Sequence, residues 1–178
     1  MHGLVLIDKD GNSLRDSIIW CDSRAVEIGN TAFKEIGHKK CVEHLLNSPG
    51  NFTASKLAWV LKNEPQIYEK AYKFLLPGDF IAYKLSGEIS TTVNGLSEGL
   101  FWDFKEDITA DWLLDYYGIE NDLVPNLVDN FSNQCYVSSK GSKETGLKKG
   151  IPIKYRAGDQ PNNAMSLNIL NIGEVAAT

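Results

Sequence analysis

Short apolar runs, separated by polar or turn-forming residues, predict several buried strands along this chain. The runs occupy residues 4–7, 17–20, 74–76, 134–138 and 151–155. Asp10-Gly11-Asn12 separates the first two runs with residues that tolerate positive φ, so we expect residues 3–20 to form a β-hairpin.

Apolar residues three or four positions apart predict amphipathic helices between these strands. The expected helices cover about residues 24–36, 38–47, 54–64, 65–72, 77–86, 109–117 and 162–170. Ser23 and Thr53 are N-cap candidates, and Pro65 and Pro77 suit first helical positions. Residues 120–150 are predicted to be mostly loop. Because helices and strands are interleaved, the expected fold class is α/β.

The composition indicates a globular protein and argues against several function classes. Among the 178 residues, 43% are hydrophobic and 23% are charged, which is too apolar for a disordered chain. The formal net charge is −5 and the sequence has no basic run, so we expect no nucleic-acid partner. No apolar stretch approaches the roughly 18 residues of a membrane helix, so we expect no membrane span.

The N-terminal sequence, the cysteines and the histidines predict where the protein works and what it binds. The apolar run at residues 4–7 is short and lacks a basic flank, unlike a secretory signal. The three cysteines show no CxxC spacing, and the three histidines show no spacing typical of zinc ligands. We therefore expect a cytoplasmic protein without a metal site of its own.

The strongest local candidate for chemistry is Asp159, in the run Ala157-Gly158-Asp159-Gln160. It follows the strand expected at residues 151–155 and precedes a helix. Ligands of α/β proteins usually bind at the carboxyl ends of strands, where an ionised carboxylate can accept a proton or anchor a ligand. A purely local role as a helix cap is the alternative, because Asp is a favoured N-cap residue.

Three further motifs combine polar and aromatic residues, and each also has a purely structural interpretation. Met1-His2-Gly3 precedes the first strand, although a lone histidine there is commonly a surface residue. Trp20-Cys21-Asp22-Ser23-Arg24 contains an acid and a base that can simply pair with each other. The segment Phe52–Val60 has the periodicity of an ordinary amphipathic helix.

Together, in this order, the motifs resemble those of the FGGY family of carbohydrate kinases, and among these the xylulokinases. Six segments carry the resemblance, and each is weak by itself. They are Met1-His2-Gly3, Trp20 to Arg24, Phe52 to Glu64, Leu75 to Phe80, Leu85-Ser86-Gly87-Glu88 and Ala157-Gly158-Asp159.

The resemblance implies an actin-like, ribonuclease-H-like α/β lobe and a kinase that transfers the ATP γ-phosphate to a sugar hydroxyl with Mg²⁺. It implies that Asp159 is the catalytic base. It also implies that Met1 and His2 contact a ketose and that Gln160 lines the sugar site. We further expect Asp22 and Asn163 near the pocket. The expected substrate is D-xylulose, the product is D-xylulose 5-phosphate, and self-association into a homo-oligomer is compatible with the sequence.

Compared with the roughly 500 residues of the family, residues 1–178 resemble only part of the N-terminal, sugar-binding domain. The Asp-x-Gly-Thr phosphate loop near the family's start has no counterpart here, and neither has the C-terminal nucleotide-binding lobe. We therefore expect no residues that bind ATP or metal in this chain, and no catalysis by the chain alone.

Other functions remain open from the sequence. A glycerol kinase or another FGGY kinase is one alternative, although glycerol kinases carry an Arg-Glu pair where this chain has Met1-His2. A non-catalytic lobe that binds a sugar or a partner is another. A third is that these residues alone do not form a stable unit, since unpaired strand edges favour association.

Overall fold

Helices and short strands alternate along residues 2–175, which are the residues that the structure, a computed structural model, describes. The helices are α1 Val26–Ile36, α2 His38–Leu45, α3 Thr53–Asn63, α4 Pro65–Tyr68, α5 Pro77–Ser86, α6 Val93–Gly99, α7 Asp111–Tyr117, α8 Ser139–Thr145 and α9 Asp159–Ser166. The strands are β1 Val5–Ile7, β2 Lys73–Leu75, β3 Ser90–Thr91, β4 Trp102–Asp103, β5 Ile108–Thr109, β6 Asn126–Leu127, β7 Cys135–Tyr136 and β8 Pro152–Ile153.

The described strands pair into four two-stranded sheets. β1 pairs antiparallel with β2, in a register that places Leu6 opposite Phe74. β3 and β6 are parallel, whereas β4–β5 and β7–β8 are antiparallel. The structure departs here from the expected hairpin at residues 3–20. The second half of the hairpin pairs with this part of the chain only through two isolated antiparallel bridges, Leu4 with Ile18 and Ile7 with Ser13, and forms no strand of its own.

The pair β1–β2 lies between two apolar layers, which explains why every residue of β1 is buried. Successive side chains of a strand point to opposite faces. Leu4 and Leu6 pack into the main core with the buried face of α3, whereas Val5 and Ile7 pack against the α5 side, with Phe80. No described helix is long and apolar enough to cross a membrane.

Some helix boundaries differ from the expected ones, and tertiary contacts explain why. Ser23 is not an N-cap, since Ala25 precedes the first residue of α1. Thr53 is the first residue of α3 rather than its cap, and its Oγ1 donates instead to the carbonyl oxygen of Gly3, at 3.3 Å. This bond ties the start of α3 to the segment that carries His2.

Helix α8 lies within the region expected to be loop. Its sequence has no apolar periodicity, but the Ser138 side chain accepts a hydrogen bond from the Gly141 amide and so caps its first turn. A Cβ at Gly141 would overlap the backbone of Leu85, so the helix packs closely against the end of α5. The expected helix at residues 162–170 begins earlier, at Asp159, and ends at Ser166.

Candidate functional site

Three of the residues singled out in the sequence line one cavity of about 540 Å³: His2, Asp159 and Gln160. The end of α2 and Phe104 contribute an apolar wall, and α6 contributes a polar one. A cavity of this size, with a few polar groups among apolar surfaces, is typical of small-molecule sites.

His2 stands at the edge of this cavity, just before β1, with its imidazole ring against Phe52. The two ring centroids are 4.7 Å apart. Partial burial and the nearby charge of Lys56 lower the pKa of His2, while the charge of Asp159 acts in the opposite direction. The neutral imidazole has one donor and one acceptor nitrogen, which suits it to a hydroxyl-rich ligand.

Beneath His2 lies Lys56, a fully buried side chain that sequence reasoning did not single out. Its Nζ donates to the carbonyl oxygen of Asn51 at 2.7 Å and to that of His2 at 3.2 Å. A third, longer bond of 3.4 Å goes to the carbonyl oxygen of Trp20. The ammonium therefore joins three chain segments, two of which carry the cavity residues His2 and Trp20.

Lys56 gives the stability of the protein a specific pH dependence. Burial lowers the pKa of its ammonium to about 8, against the opposing effect of Asp22. Between pH 8 and the ordinary lysine pKa of about 10.4, the unfolded chain holds a proton that the folded chain has released, so the free energy of unfolding rises with pH.

Between pH 7.5 and 10, we expect the free energy of unfolding of the wild type to rise by about 2 kcal/mol more than that of Lys56→Met, as measured by urea unfolding. The comparison between the two proteins cancels the titration of the other groups. Equal pH dependence in both would contradict the assignment to Lys56.

Asp159 is the first residue of α9, and its side chain is exposed. The N-cap position belongs to Gly158, so Asp159 does not cap the helix and its carboxylate is available to the cavity. The first turn of a helix is a favourable position for a negative charge. The strand β8 ends at Ile153, so the carboxylate follows the strand after an extended segment rather than directly.

The polar wall of α6 carries Asn94 and Ser97, which are three residues apart and share one face of the helix. Both are half-buried at the cavity. They were missed because residues 91–93 favour a strand while the glycines at 95 and 99 do not, so the sequence assigns no element here and no shared face can be derived from it.

Two of the sequence candidates, Asp22 and Asn163, do not line the cavity. Asp22 accepts two hydrogen bonds from the Arg24 guanidinium, at 2.9 and 2.7 Å, which lower the pKa of its carboxyl to about 2. Asn163 is an exposed residue of α9, whose backbone oxygen accepts a bond from Ser166. Met1 lies outside the described residues.

Within residues 2–175, no group of three His, Cys, Asp or Glu side chains is placed to hold a metal ion. The described lining of the cavity supplies no cation for the phosphates of a nucleotide. It includes the carboxylates of Glu98 and Asp159 but no lysine or arginine. Sites for nucleotide phosphates normally supply such cations or a glycine-rich loop.

The helices and short strands around this cavity form part of an actin-like, ribonuclease-H-like fold, as solved structures show. The xylulose kinase of Rhodospirillum rubrum superposes with a TM-score of 0.82 at 24% identity, over 96% of this chain and 35% of that one. The glycerol kinase of Plasmodium falciparum superposes with a TM-score of 0.83 at 21% identity, over 94% of this chain and 34% of that one.

The sequence profile of the N-terminal domain of the FGGY family of carbohydrate kinases matches residues 1–166, and the chain belongs to this family. The xylulose kinase of Staphylococcus xylosus is 30% identical over 165 residues, which cover 92% of this chain and 34% of that protein. The xylulose kinase of Escherichia coli is 25% identical over an alignment that covers 98% of this chain and 36% of that protein. The chain thus spans about a third of the length of these relatives, and the resemblance found in its motifs is confirmed.

Proposed function

We propose that this chain forms the sugar-binding side of a kinase that phosphorylates a pentulose, with D-xylulose as substrate and D-xylulose 5-phosphate as product. One observation carries the proposal: the carboxylate of Asp159 and the imidazole of His2 line the same cavity and interact electrostatically. The names of the curated relatives support the choice of sugar.

The proposed chemistry needs a base and several hydrogen-bonding groups. Asp159 accepts the proton of the reacting sugar hydroxyl while that oxygen takes up the phosphoryl group. His2, Gln160 and Asn94 can hydrogen-bond the remaining hydroxyls, because each offers donors or acceptors at the cavity. A site built in this way rejects analogues that lack a hydroxyl.

The phosphoryl donor is ATP with Mg²⁺, and we propose that its phosphates are held by parts of the kinase other than residues 1–178. In this proposal these residues are a partial N-terminal domain, without the first phosphate loop and the nucleotide-binding lobe. The one-third coverage of the relatives supports this division, as does a described cavity lining without lysine or arginine. We further propose a cytoplasmic location, where ATP is available to a sugar kinase.

We expect calorimetric titration of the chain with D-xylulose to show binding at this cavity. His2→Ala should weaken the affinity about tenfold, the usual effect of losing one or two ligand hydrogen bonds. The matched control is His38→Ala, because the His38 ring stacks on Phe33 outside the cavity. The chain alone should consume no ATP with D-xylulose. A folded chain that takes up no D-xylulose, or equal affinity in His2→Ala, would contradict the proposal.

A glycerol kinase is the second candidate, because the Plasmodium falciparum glycerol kinase has the same fold. Glycerol has three hydroxyls and no carbonyl, so it would leave part of the cavity's polar lining unpaired. The same titration with glycerol separates the two candidates. Tighter binding of glycerol than of D-xylulose would favour the second.

A further inference from the structure

Arg156, three residues before Asp159, makes a set of buried hydrogen bonds that the motifs did not indicate. Its Nε donates to Asp79 Oδ1 at 2.8 Å, and its Nη1 donates to Gln134 Oε1 at 2.7 Å. Its Nη2 donates to the backbone oxygen and the Oγ of Ser90, at 2.9 and 3.1 Å. All three partners are buried.

These bonds join the segment before α9 to three separate parts of the fold. Asp79 is in the first turn of α5, Ser90 begins β3, and Gln134 lies just before β7. An arginine can serve all of them at once because its guanidinium presents its donors in a rigid planar fork. Charge-assisted bonds of this kind are roughly twice as strong as neutral ones.

The helix α9 lies at the surface of the described part of the chain. None of its residues is buried. Residues 154–157 make no backbone–backbone hydrogen bond within residues 2–175. The stacking of Tyr155 on the exposed Phe131, with ring centroids 5.1 Å apart, and the contact of Gly158 with the Glu98 side chain also hold the segment.

We propose that Arg156 is the positioning residue for Asp159: its anchored guanidinium fixes where the first turn of α9, and with it the Asp159 carboxylate, stands in the cavity. The proposal rests on the proposed function, in which this carboxylate contacts the sugar. Displacement of a reacting group by about 1 Å can lower a rate about a hundredfold, so such an anchor has a functional consequence.

The test is a double-mutant cycle on the affinity of the chain for D-xylulose, measured by calorimetry. Arg156→Met and Asp159→Ala should each weaken binding about tenfold. The double variant should bind no more weakly than Asp159→Ala alone, because a carboxylate that has been removed cannot be misplaced. If Arg156 only stabilised the fold, the two tenfold effects would be independent, and the double variant would bind D-xylulose about a hundredfold more weakly than the wild type.

The matched control is Arg15→Met, which removes another partly buried ion pair, between Arg15 Nε and Glu64 Oε2 at 2.8 Å, outside the cavity. It should lower thermal stability but leave the affinity unchanged. Arg156→Lys keeps the charge opposite Asp79 without the fork, and we expect it to fold and to bind about five times more weakly than the wild type. It tests the proposal even if Arg156→Met does not fold.

The outcomes separate this inference from the proposed function. If Arg156→Lys binds D-xylulose with wild-type affinity, or if the two effects multiply in the double variant, Arg156 does not position Asp159. Either result would leave the proposed role of Asp159 unaffected. If Asp159→Ala binds D-xylulose as the wild type does, or if the wild type does not bind it, the proposed function fails and the positioning role falls with it.

Discussion

Replacing Asp159 with asparagine should lower sugar-dependent ATP consumption by the complete kinase that we propose about a thousandfold. General-base catalysis by a placed side chain contributes typically about 10²- to 10⁴-fold. Asparagine keeps the shape and one acceptor oxygen of Asp159 but cannot accept the proton. We therefore expect the affinity for D-xylulose to stay within about threefold while turnover is lost.

Asp115→Asn is the matched control for this experiment, because Asp115 is an exposed carboxylate on a helix and does not line the cavity. It should leave turnover unchanged. If Asp159→Asn keeps turnover within about fivefold of the wild type, Asp159 is not the catalytic base.

Among the substitutions proposed for this chain, Lys56→Met should lower the free energy of unfolding at pH 7 the most. The carbonyl oxygens of Asn51, His2 and Trp20 would each lose the ammonium as donor inside the protein. A buried polar group left without a partner costs about 1 to 3 kcal/mol. Removing Lys56 also removes the cost of burying its charge, which offsets part of the summed penalty for the three oxygens. We expect a loss of about 3 kcal/mol and a fall of roughly 6–12 °C in Tm.

The same variant should bind D-xylulose more weakly, since the backbone oxygen of His2 would lose the ammonium that holds it. Lys62→Met is its control, because Lys62 is on the same helix but exposed. Calorimetric scans of both variants provide the test. A Tm for Lys56→Met equal to that of Lys62→Met would show that the buried ammonium contributes no net stability.

Elements with local signals could be predicted closely from the sequence. α5 runs from Pro77 to Ser86 as expected, because a proline sets its first turn and Gly87, at φ 85°, ends it in a left-handed conformation. The strand β1 was likewise visible as an apolar run. α8 could not be predicted, since its polar sequence is held by a serine cap and by the close approach of Gly141 to Leu85.

Some residues of the candidate site could also be predicted from the sequence, and others could not. Asp159 was singled out by its position between a strand and a helix, and His2 received its role through the family resemblance. Only the tertiary structure shows that they line one cavity. Lys56 and Arg156 were not singled out, because a cation in a helix or beside a loop normally faces solvent. Their partners come from distant positions in the chain, so no local pattern can reveal them.

The most direct test of the account is a crystal structure of this chain with D-xylulose bound. We predict the sugar in the cavity between α9 and α6. A hydroxyl oxygen should lie about 3 Å from the Asp159 carboxylate, and another should lie within hydrogen-bond distance of the His2 ring. D-xylulose bound only elsewhere, for example in the separate cavity beside Tyr116, or no bound sugar at saturating concentration, would contradict the account.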